Sequence, residues 1–314
     1  MKNIVLPFSK IRKKDVKLAG GKGASLGEMT QARIPVPPGF VILAPAVDQF
    51  MAGTGLTDKI AKLLSKIDGK SVKLVNQTSK KIRTLIAKTQ FPPATKKVIE
   101  AEFKKLKTKY VAVRSSATAE DSKSASWAGE LETYLFIDQK NLVEAVKKCW
   151  SSLFTPRAIF YRFTKKLDKK HISVAVVVQQ MVDSEIAGVC FTVHPVTKNR
   201  NQMVIEAGYG LGEAIVGGQI TPDTYIIDNK ENYLVDINIS EQTKKLVRKT
   251  VFGIKEVAVK KSDQSKQKLT GIKIIELAHI CQQITKHYKS PQDIEWAYAK
   301  GKFYITQSRP ITTL

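Results

Sequence analysis

The sequence predicts a mixed fold of helices and strands, α/β or α+β, built as two lobes. Segments of helical and strand periodicity alternate along the whole chain. Its 314 residues exceed what one typical hydrophobic core organises. A basic, helical stretch in the first half gives way to a strand-rich second half, which puts the division near residue 185. The expected lobes are residues 1–185, with a basic helical insertion near 57–109, and residues 186–314, closed by a polar hairpin. No internal repeat is evident.

Taken in order, glycine-rich Gly20 to Gly27 leads into a helix through about Ala32, and "IPVPPGFVI" is a proline-stiffened turn feeding a strand. Residues 55–110 carry apolar positions at helical spacing with lysines between them. "YVAVRSSA" (110–117) reads as a buried strand ending in a polar loop, and "ETYLFI" (132–137) as another strand. The intervening "TAEDSKSASWAGE" is small and polar, the composition of an exposed, mobile loop. Helices follow in "NLVEAVKKCWSSLF" and, after the Thr155-Pro156 break, in "PRAIFYRFTKKL". Five strand candidates come in succession at 174–182, 187–195, 202–210, 223–228 and 232–239. The amphipathic helix "IKIIELAHICQQITKHY" comes next, and "QDIEWAYAKGKFYITQSRPI" closes the chain as two strands about a turn at Gly301.

Composition narrows the function classes. Hydrophobic content of 43% and aromatic content of 8% are those of a folded globular protein. Cys149, Cys190 and Cys281 lie far apart with no CxxC pair, which fits buried thiols in a reducing cytoplasm and neither a zinc ribbon nor a disulfide scaffold. The apolar run near the N-terminus is too short for a signal peptide, and "VAVVV" (174–178) is too short to span a bilayer, so no membrane role is expected. The formal charge of +24 attracts polyanions. The lysine-rich stretches "NQTSKKIRTLIAKTQF" and "VIEAEFKKLKTKY" nevertheless read as solvated faces of amphipathic helices, without the aromatic interleaving that base stacking needs. A nucleic-acid partner is therefore not expected. A non-catalytic polyanion- or ATP-binding protein is the reading from another class, and its mark would be salt-sensitive RNA affinity with no nucleotide requirement.

Four constellations can carry chemistry. In "LAGGKGASLGEM" (18–29) the spacing fails the Walker A pattern, because Lys22 is followed by Gly23, and fails G-x-G-x-x-G by one residue at Gly27. Unhindered amides at a helix start, beside the Lys22 ammonium, suit either a phosphate cradle or a tight turn capping the helix. Arg114 ends an apolar strand, where its guanidinium suits phosphate oxygens or a structural ion pair with Glu120 or Asp121. In the closing hairpin, Asp293 and Glu295 lie two apart, as do Gln307 and Arg309, so each pair points to one face of its strand. Carboxylate and amide oxygens among apolar neighbours suit Mg²⁺ arriving with nucleotide phosphates, or else belong to a half-exposed terminal hairpin. A strict two-residue turn at Lys300-Gly301 would separate Glu295 from Gln307, and a bulged or three-residue loop would bring them together. The run "EAGYGLGEAIVGG", with Glu206 and Glu213 among its glycines, could bring backbone close to a nucleotide.

Together "GGKGASLGEM", "VAVRSSATAEDSKSASWAGELETYL", "GVCFTVHPVT", "EAGYGLGEAIVGGQITPDTY" and "DIEWAYAKGKFYITQSRP" resemble the ATP-binding domain of phosphoenolpyruvate synthases (pyruvate, water dikinases), shared with pyruvate phosphate dikinases and rifampin phosphotransferases. The resemblance runs in order from about residue 3 to the end of the chain. It implies an α+β, ATP-grasp-like fold whose two lobes hold ATP between them, and a cytoplasmic phosphotransferase using ATP and Mg²⁺. Carried over by position, it implies that Lys22 and Arg114 hold phosphates, that Glu295 and Gln307 ligate Mg²⁺, and that Arg309 meets the terminal phosphates. Gln179, Gln180, Met181 and Val182 would be the segment whose backbone reads adenine, with Glu213 nearby. The loop from Ser124 to Gly129 would close over the γ-phosphate, with Thr133 behind it. The pattern departs at "HPVTKN", where Lys198 stands at a position the family commonly gives to glycine.

A second departure is an absence. The family passes the β,γ-phosphates of ATP to a histidine on a swivelling domain, within a glycine-rich T-S-H-A segment, and a further domain binds pyruvate or another acceptor. His171, His194, His279 and His287 have no such context. The expected partner is therefore a phosphohistidine domain, in cis in a longer protein or in trans as a separate subunit, with an antibiotic phosphotransferase as the alternative enzyme.

Overall fold

A computed structural model describes residues 4–118, 121–122, 125–126, 132–167, 172–250 and 253–312. The chain divides into two compact units. Unit 1 holds residues up to Glu28 and Pro38–Met181, and unit 2 holds Met29–Pro37 and Val182 onward. The break at 181/182 stands four residues before the division expected at 185/186, and the short Met29–Pro37 segment groups with the second unit.

Unit 1 is a five-stranded antiparallel sheet in the order β1 (Val5–Pro7), β2 (Gly39–Ile42), β7 (Val174–Gln180), β3 (Val111–Ala117), β6 (Thr133–Ile137). One face is apolar because alternate residues Phe40, Ile42, Val111, Val113, Val176 and Val178 all point to it, and they join one buried core. Helices α2 (Ala44–Gly53), α3 (Leu56–Leu64), α4 (Val72–Lys88), α5 (Pro93–Lys105), α6 (Leu142–Ser151) and α7 (Pro156–Thr164) supply the rest of that core. Trp150 on α6 stacks on Phe91 at 5.2 Å between centroids, and Ile82 and Ile86 of α4 are fully buried. The lysines of α3–α5 lie on the opposite, exposed side of these helices, as the helical spacing predicts. Between β3 and β6, Asp121–Ser122 (β4) pairs with Ala125–Ser126 (β5); the rest of the expected loop over 119–131 lies outside the described residues.

The glycine-rich segment is helix and not loop. Helix α1 runs Val16–Gln31 and is broken only at Gly20, whose φ of 70° and ψ of 171° place it outside helical space. The glycines after the break are there for contact: a Cβ at Gly23 would stand 3.1 Å from the Val41 side chain, and one at Gly27 would stand 2.6 Å from Ile11. Close packing against the sheet thus overrides glycine's weak helix propensity.

Unit 2 is built on a six-stranded antiparallel sheet, β11 (Leu234–Asn238), β10 (Asp223–Asp228), β9 (Gln202–Tyr209), β8 (Ile186–Phe191), β14 (Gln292–Ala299), β15 (Lys302–Pro310). Its apolar face, with Met203, Ile205, Tyr225, Ile227, Ile294, Trp296 and Ile305, is buried. Helix α9 (Gly271–Tyr288) packs on this sheet and buries Ile274, Leu277, Ala278, Cys281 and Ile284. The turn between β9 and β10 holds the short helix α8 (Glu213–Val216), and a separate hairpin, β12 (Lys244–Arg248) with β13 (Ile254–Ala258), follows β11. Strand β1 and the β12–β13 hairpin are absent from the elements expected of the sequence. Among the described residues, no helix is long and apolar enough to cross a membrane.

Candidate functional site

The second face of the unit 1 sheet carries Arg114. Arg114 lies at the centre of β3 and not at its end, because Ser115, Ser116 and Ala117 continue the strand against Val176, Ala175 and Val174. It pairs with Thr133 on β6 and Val177 on β7, so Arg114 and Thr133 share a face. Gln179, two residues along β7, joins that face, and the Arg114 guanidinium donates to its Oε1 at 3.5 Å. Arg114 is only 8% exposed. The ion pair with Glu120 or Asp121 considered from the sequence falls on side chains outside the described residues.

Lys22 is brought to the same strand by Ser116. The Ser116 hydroxyl donates to the Ala19 carbonyl at 2.9 Å and accepts from the Gly23 N–H at 3.2 Å, spanning the break at Gly20. A Cβ on Gly20 would fall 2.2 Å from that hydroxyl oxygen. Lys22 therefore sits in the first turn of the helix that restarts beyond Gly20. Its charge reaches Cys149 on α6, opposing the burial that pushes this thiol up to about 12.

The segment Gln179–Val182 ends β7 and crosses the unit boundary. Its Gln180 N–H donates to the Pro38 carbonyl at 2.8 Å, and its Met181 N–H donates to the Tyr110 carbonyl at 3.0 Å. Those two donors are engaged within unit 1. Ser124 and Gly129 lie outside the described residues, as does His171.

The second face of the unit 2 sheet carries the acids. Ladder register lines up Glu206 (β9), Val189 (β8), Glu295 (β14) and Gln307 (β15) as one row of neighbours on one face. One step along, Asp293 faces Arg309, which donates to Asp293 Oδ2 from Nε at 2.9 Å and from Nη2 at 2.7 Å. The turn at Lys300-Gly301 is a strict two-residue turn with positive φ at both positions, 51° and 78°. Register then shifts between Glu295 and Trp296, where Thr306 is the extra residue of β15, and this bulge puts Gln307 opposite Glu295.

Burial, with the Asp293 charge adding to it, raises the Glu206 carboxyl above the usual carboxylate range. Glu206 was visible in the glycine run, but only the strand register reveals that it shares a face with Glu295. Among the described residues no group of three or more His, Cys, Asp and Glu could hold a metal by itself. The Glu295 carboxylate and the Gln307 amide nevertheless offer hard oxygens side by side, the donor type that suits Mg²⁺ retaining water and phosphate ligands.

Glu213 opens α8, which starts above this face: a Cβ on Gly212 would stand 3.6 Å from the Cβ of Ala187, which lies two residues from Val189 on β8. Lys198 adopts φ of 58°, the left-handed conformation that glycine takes without penalty, in a turn where His194 Nδ1 accepts from the N–H groups of Val196 and Thr197 at 3.2 Å each. His279 and His287 are exposed on α9.

Residues 16–314 match the family of the pyruvate phosphate dikinase AMP/ATP-binding domain. The chain belongs to that family. It is 47% identical over 314 residues to a probable phosphoenolpyruvate synthase of Methanocaldococcus jannaschii, covering 98% of this chain and 26% of that protein. It is 38% identical over 322 residues to a rifampicin phosphotransferase of Bacillus cereus, covering 100% of this chain and 36% of that protein. The chain thus spans well under half the length of either relative. Among solved structures, a D-alanyl-alanine synthetase A from Vibrio cholerae is similar over 75% of this chain and 54% of its own, at 12% identity and a TM-score of 0.31. Within this family's ATP-binding domain, then, unit 1 carries Lys22 and Arg114, and unit 2 carries the row of Glu206, Glu295 and Gln307 beside the Asp293–Arg309 pair.

Proposed function

We propose that this chain is the Mg-ATP-binding part of a phosphoenolpyruvate synthase-like dikinase with an ATP-grasp-like architecture. It would present the β,γ-phosphates of ATP to a histidine on another domain or subunit, for the eventual phosphorylation of pyruvate to phosphoenolpyruvate. The observation that carries the reading is the row of Glu295 and Gln307 beside the Asp293–Arg309 pair, in a chain of this family.

In this account Lys22 and Arg114 bind phosphate oxygens, Arg114 as a fork that Gln179 helps to orient. Glu295 and Gln307 hold Mg²⁺, which neutralises phosphate charge when bound. Arg309, steered by Asp293, meets the negative charge that develops on the transferred group. The Gln179–Val182 segment and Glu213 take the adenosine end, and Thr133 lies beside the phosphates. Phosphoryl transfer leaves little covalent work for protein groups, so alignment and charge neutralisation are their contribution. The buried, free thiols fit the reducing cytoplasm.

The test is to incubate the chain with β- or γ-labelled ATP, with and without a histidine-bearing domain of the family. Label on that histidine, lost in Lys22→Ala, Arg114→Ala and Glu295→Ala variants that remain folded, is the expected result. Full transfer by a triple variant would overturn the reading. A second reading, the ATP-binding part of an antibiotic phosphotransferase, is favoured by the match of this whole chain to 36% of the rifampicin enzyme. It shares the first step, and labelled product appearing with rifampicin but not with pyruvate would select it.

A further inference from the structure

The turn after β9 is held by residues far from it in sequence. Strand β10 begins at Asp223 opposite Ala207, and Pro222 before it cannot donate to a longer ladder. Tyr209, two residues beyond Ala207, would otherwise lack a partner on that side. Gln242 takes this role: its Oε1 accepts from the Tyr209 N–H at 2.8 Å, and its Nε2 donates to the Tyr209 carbonyl at 3.0 Å and to the Lys244 carbonyl at 3.0 Å. Gln242 is 1% exposed.

The turn is gripped again at the two residues after Tyr209. Leu211 N–H donates to the Leu246 carbonyl at 3.1 Å and Gly210 N–H to the Glu185 carbonyl at 2.9 Å, while Ser184 Oγ donates to the Gly210 carbonyl at 2.9 Å. A Cβ on Gly210, whose φ is 88°, would stand 2.5 Å from the Leu246 carbonyl oxygen.

Gln242 N–H donates to the Gln264 carbonyl at 2.9 Å, and Ser240, two residues before it, is anchored by a buried ion pair. Asp223 Oδ1 accepts from Lys268 Nζ at 2.8 Å and from Ser240 N–H at 3.0 Å, and Lys268 Nζ also donates to the Ser240 carbonyl at 2.6 Å. Both side chains are fully buried, and the remaining Asp223 oxygen accepts from Tyr225 OH and from the Lys268 N–H. The ammonium lies 5.4 Å from the centroid of the Tyr209 ring. The network thus runs from Asp223–Lys268 through Ser240 to Gln242, and from there to the turn that opens α8 at Glu213.

We propose that Gln242, backed by the Asp223–Lys268 pair, is a positioning residue that sets Glu213 for the adenosine end of the nucleotide. This rests on the Mg-ATP reading above. A positioning role at that end separates the nucleoside from the phosphates: Gln242→Ala should weaken binding of Mg-ATP by about tenfold, the worth of the lost hydrogen bonds. Binding of Mg-tripolyphosphate, which has no nucleoside, should change less than about twofold.

The experiment titrates the wild-type chain, Gln242→Ala and the isosteric Gln242→Glu with both ligands, and follows amide hydrogen exchange of residues 209–216. Faster exchange there with selective loss of Mg-ATP supports the proposal, with Gln242→Glu showing whether the donor end is needed. Unchanged exchange overturns it, and so does equal weakening of both ligands, which marks a general loss of fold. A wild-type chain that binds neither ligand overturns the Mg-ATP reading and the proposal with it, whereas a wild type that binds while Gln242→Ala binds equally well overturns the proposal alone.

Discussion

Glu295 on β14 stands directly opposite Gln307 on β15, and a single extra residue, Thr306, is responsible. The two-residue turn at Lys300-Gly301 sets a register that would pair Glu295 with Thr306 and send Gln307 to the buried face with Ile294. The bulge advances β15 by one residue and turns Gln307 and Arg309 onto the face of Asp293 and Glu295. The proposed metal-binding pair exists only because of that irregularity.

Removing either oxygen of the pair should show in metal dependence. Glu295→Ala and Gln307→Ala are each expected to weaken Mg-ATP binding by at least about tenfold. Because neither side chain belongs to the apolar face, melting temperature should change little. Binding measured with and without Mg²⁺ checks this, and the variants should lose the Mg²⁺-dependent part of the affinity.

Arg114 should not tolerate lysine. An ammonium lacks the planar fork that can hold phosphate and contact Gln179 together, so Arg114→Lys is expected to lower Mg-ATP affinity by about tenfold while keeping the positive charge. Titration of both proteins with Mg-ATP, beside circular dichroism to confirm an intact fold, reads the result.

Cys149 makes the fold sensitive to alkali. Burial raises its thiol from 9.0 to about 12, with the Glu132 charge adding to the rise and Ser115 and Lys22 opposing it. Below the ordinary thiol range both folded and unfolded states keep the proton, and the residue is silent. Between 9.0 and about 12 the unfolded chain loses the proton while the folded chain keeps it, so stability falls as pH rises. Any stability advantage of the wild type over Cys149→Ala should therefore shrink between about pH 8 and about pH 10. Thermal melts across that range check it.

Breaking the Asp223–Lys268 pair should be costly. Lys268→Met leaves a fully buried carboxylate without its cation, which is expected to remove about 3–5 kcal/mol of stability. Asp223→Asn combined with Lys268→Met should recover part of the loss, because no unpaired charge remains. Denaturant midpoints of the three proteins measure both effects.

The parts of this architecture that follow from local pattern were legible in the sequence. The continuous apolar run in "VAVVVQQ", the alternation that opens "DIEWAYA", glycine at the Gly301 turn and helical spacing in α9 all point to the elements observed. Legibility failed where distant residues decide. The glycines of "GGKGASLG" suited a phosphate cradle or a tight turn before the helix, yet Gly23 and Gly27 lie within it, where Val41 and Ile11 pack too closely for a side chain, and Gly20 forms the break against Ser116. Arg114 looked like a strand end because two serines follow it, but pairing with Ala175 and Val176 carries β3 past them. The β12–β13 hairpin is short and lysine-rich, with little apolar alternation to mark it, and it is tied to unit 2 by Gln242 and Leu246. Most of all, no local signal marks Thr306 as a bulge, so the meeting of Glu295 and Gln307 could be posed from the sequence but not decided.

The most direct test of the central claim is calorimetric titration of the chain with ATP in the presence and absence of Mg²⁺. One site of submillimolar affinity is expected, dependent on Mg²⁺ and on Lys22, Arg114 and Glu295. A wild-type chain that releases or absorbs no heat with Mg-ATP at millimolar concentration would contradict it.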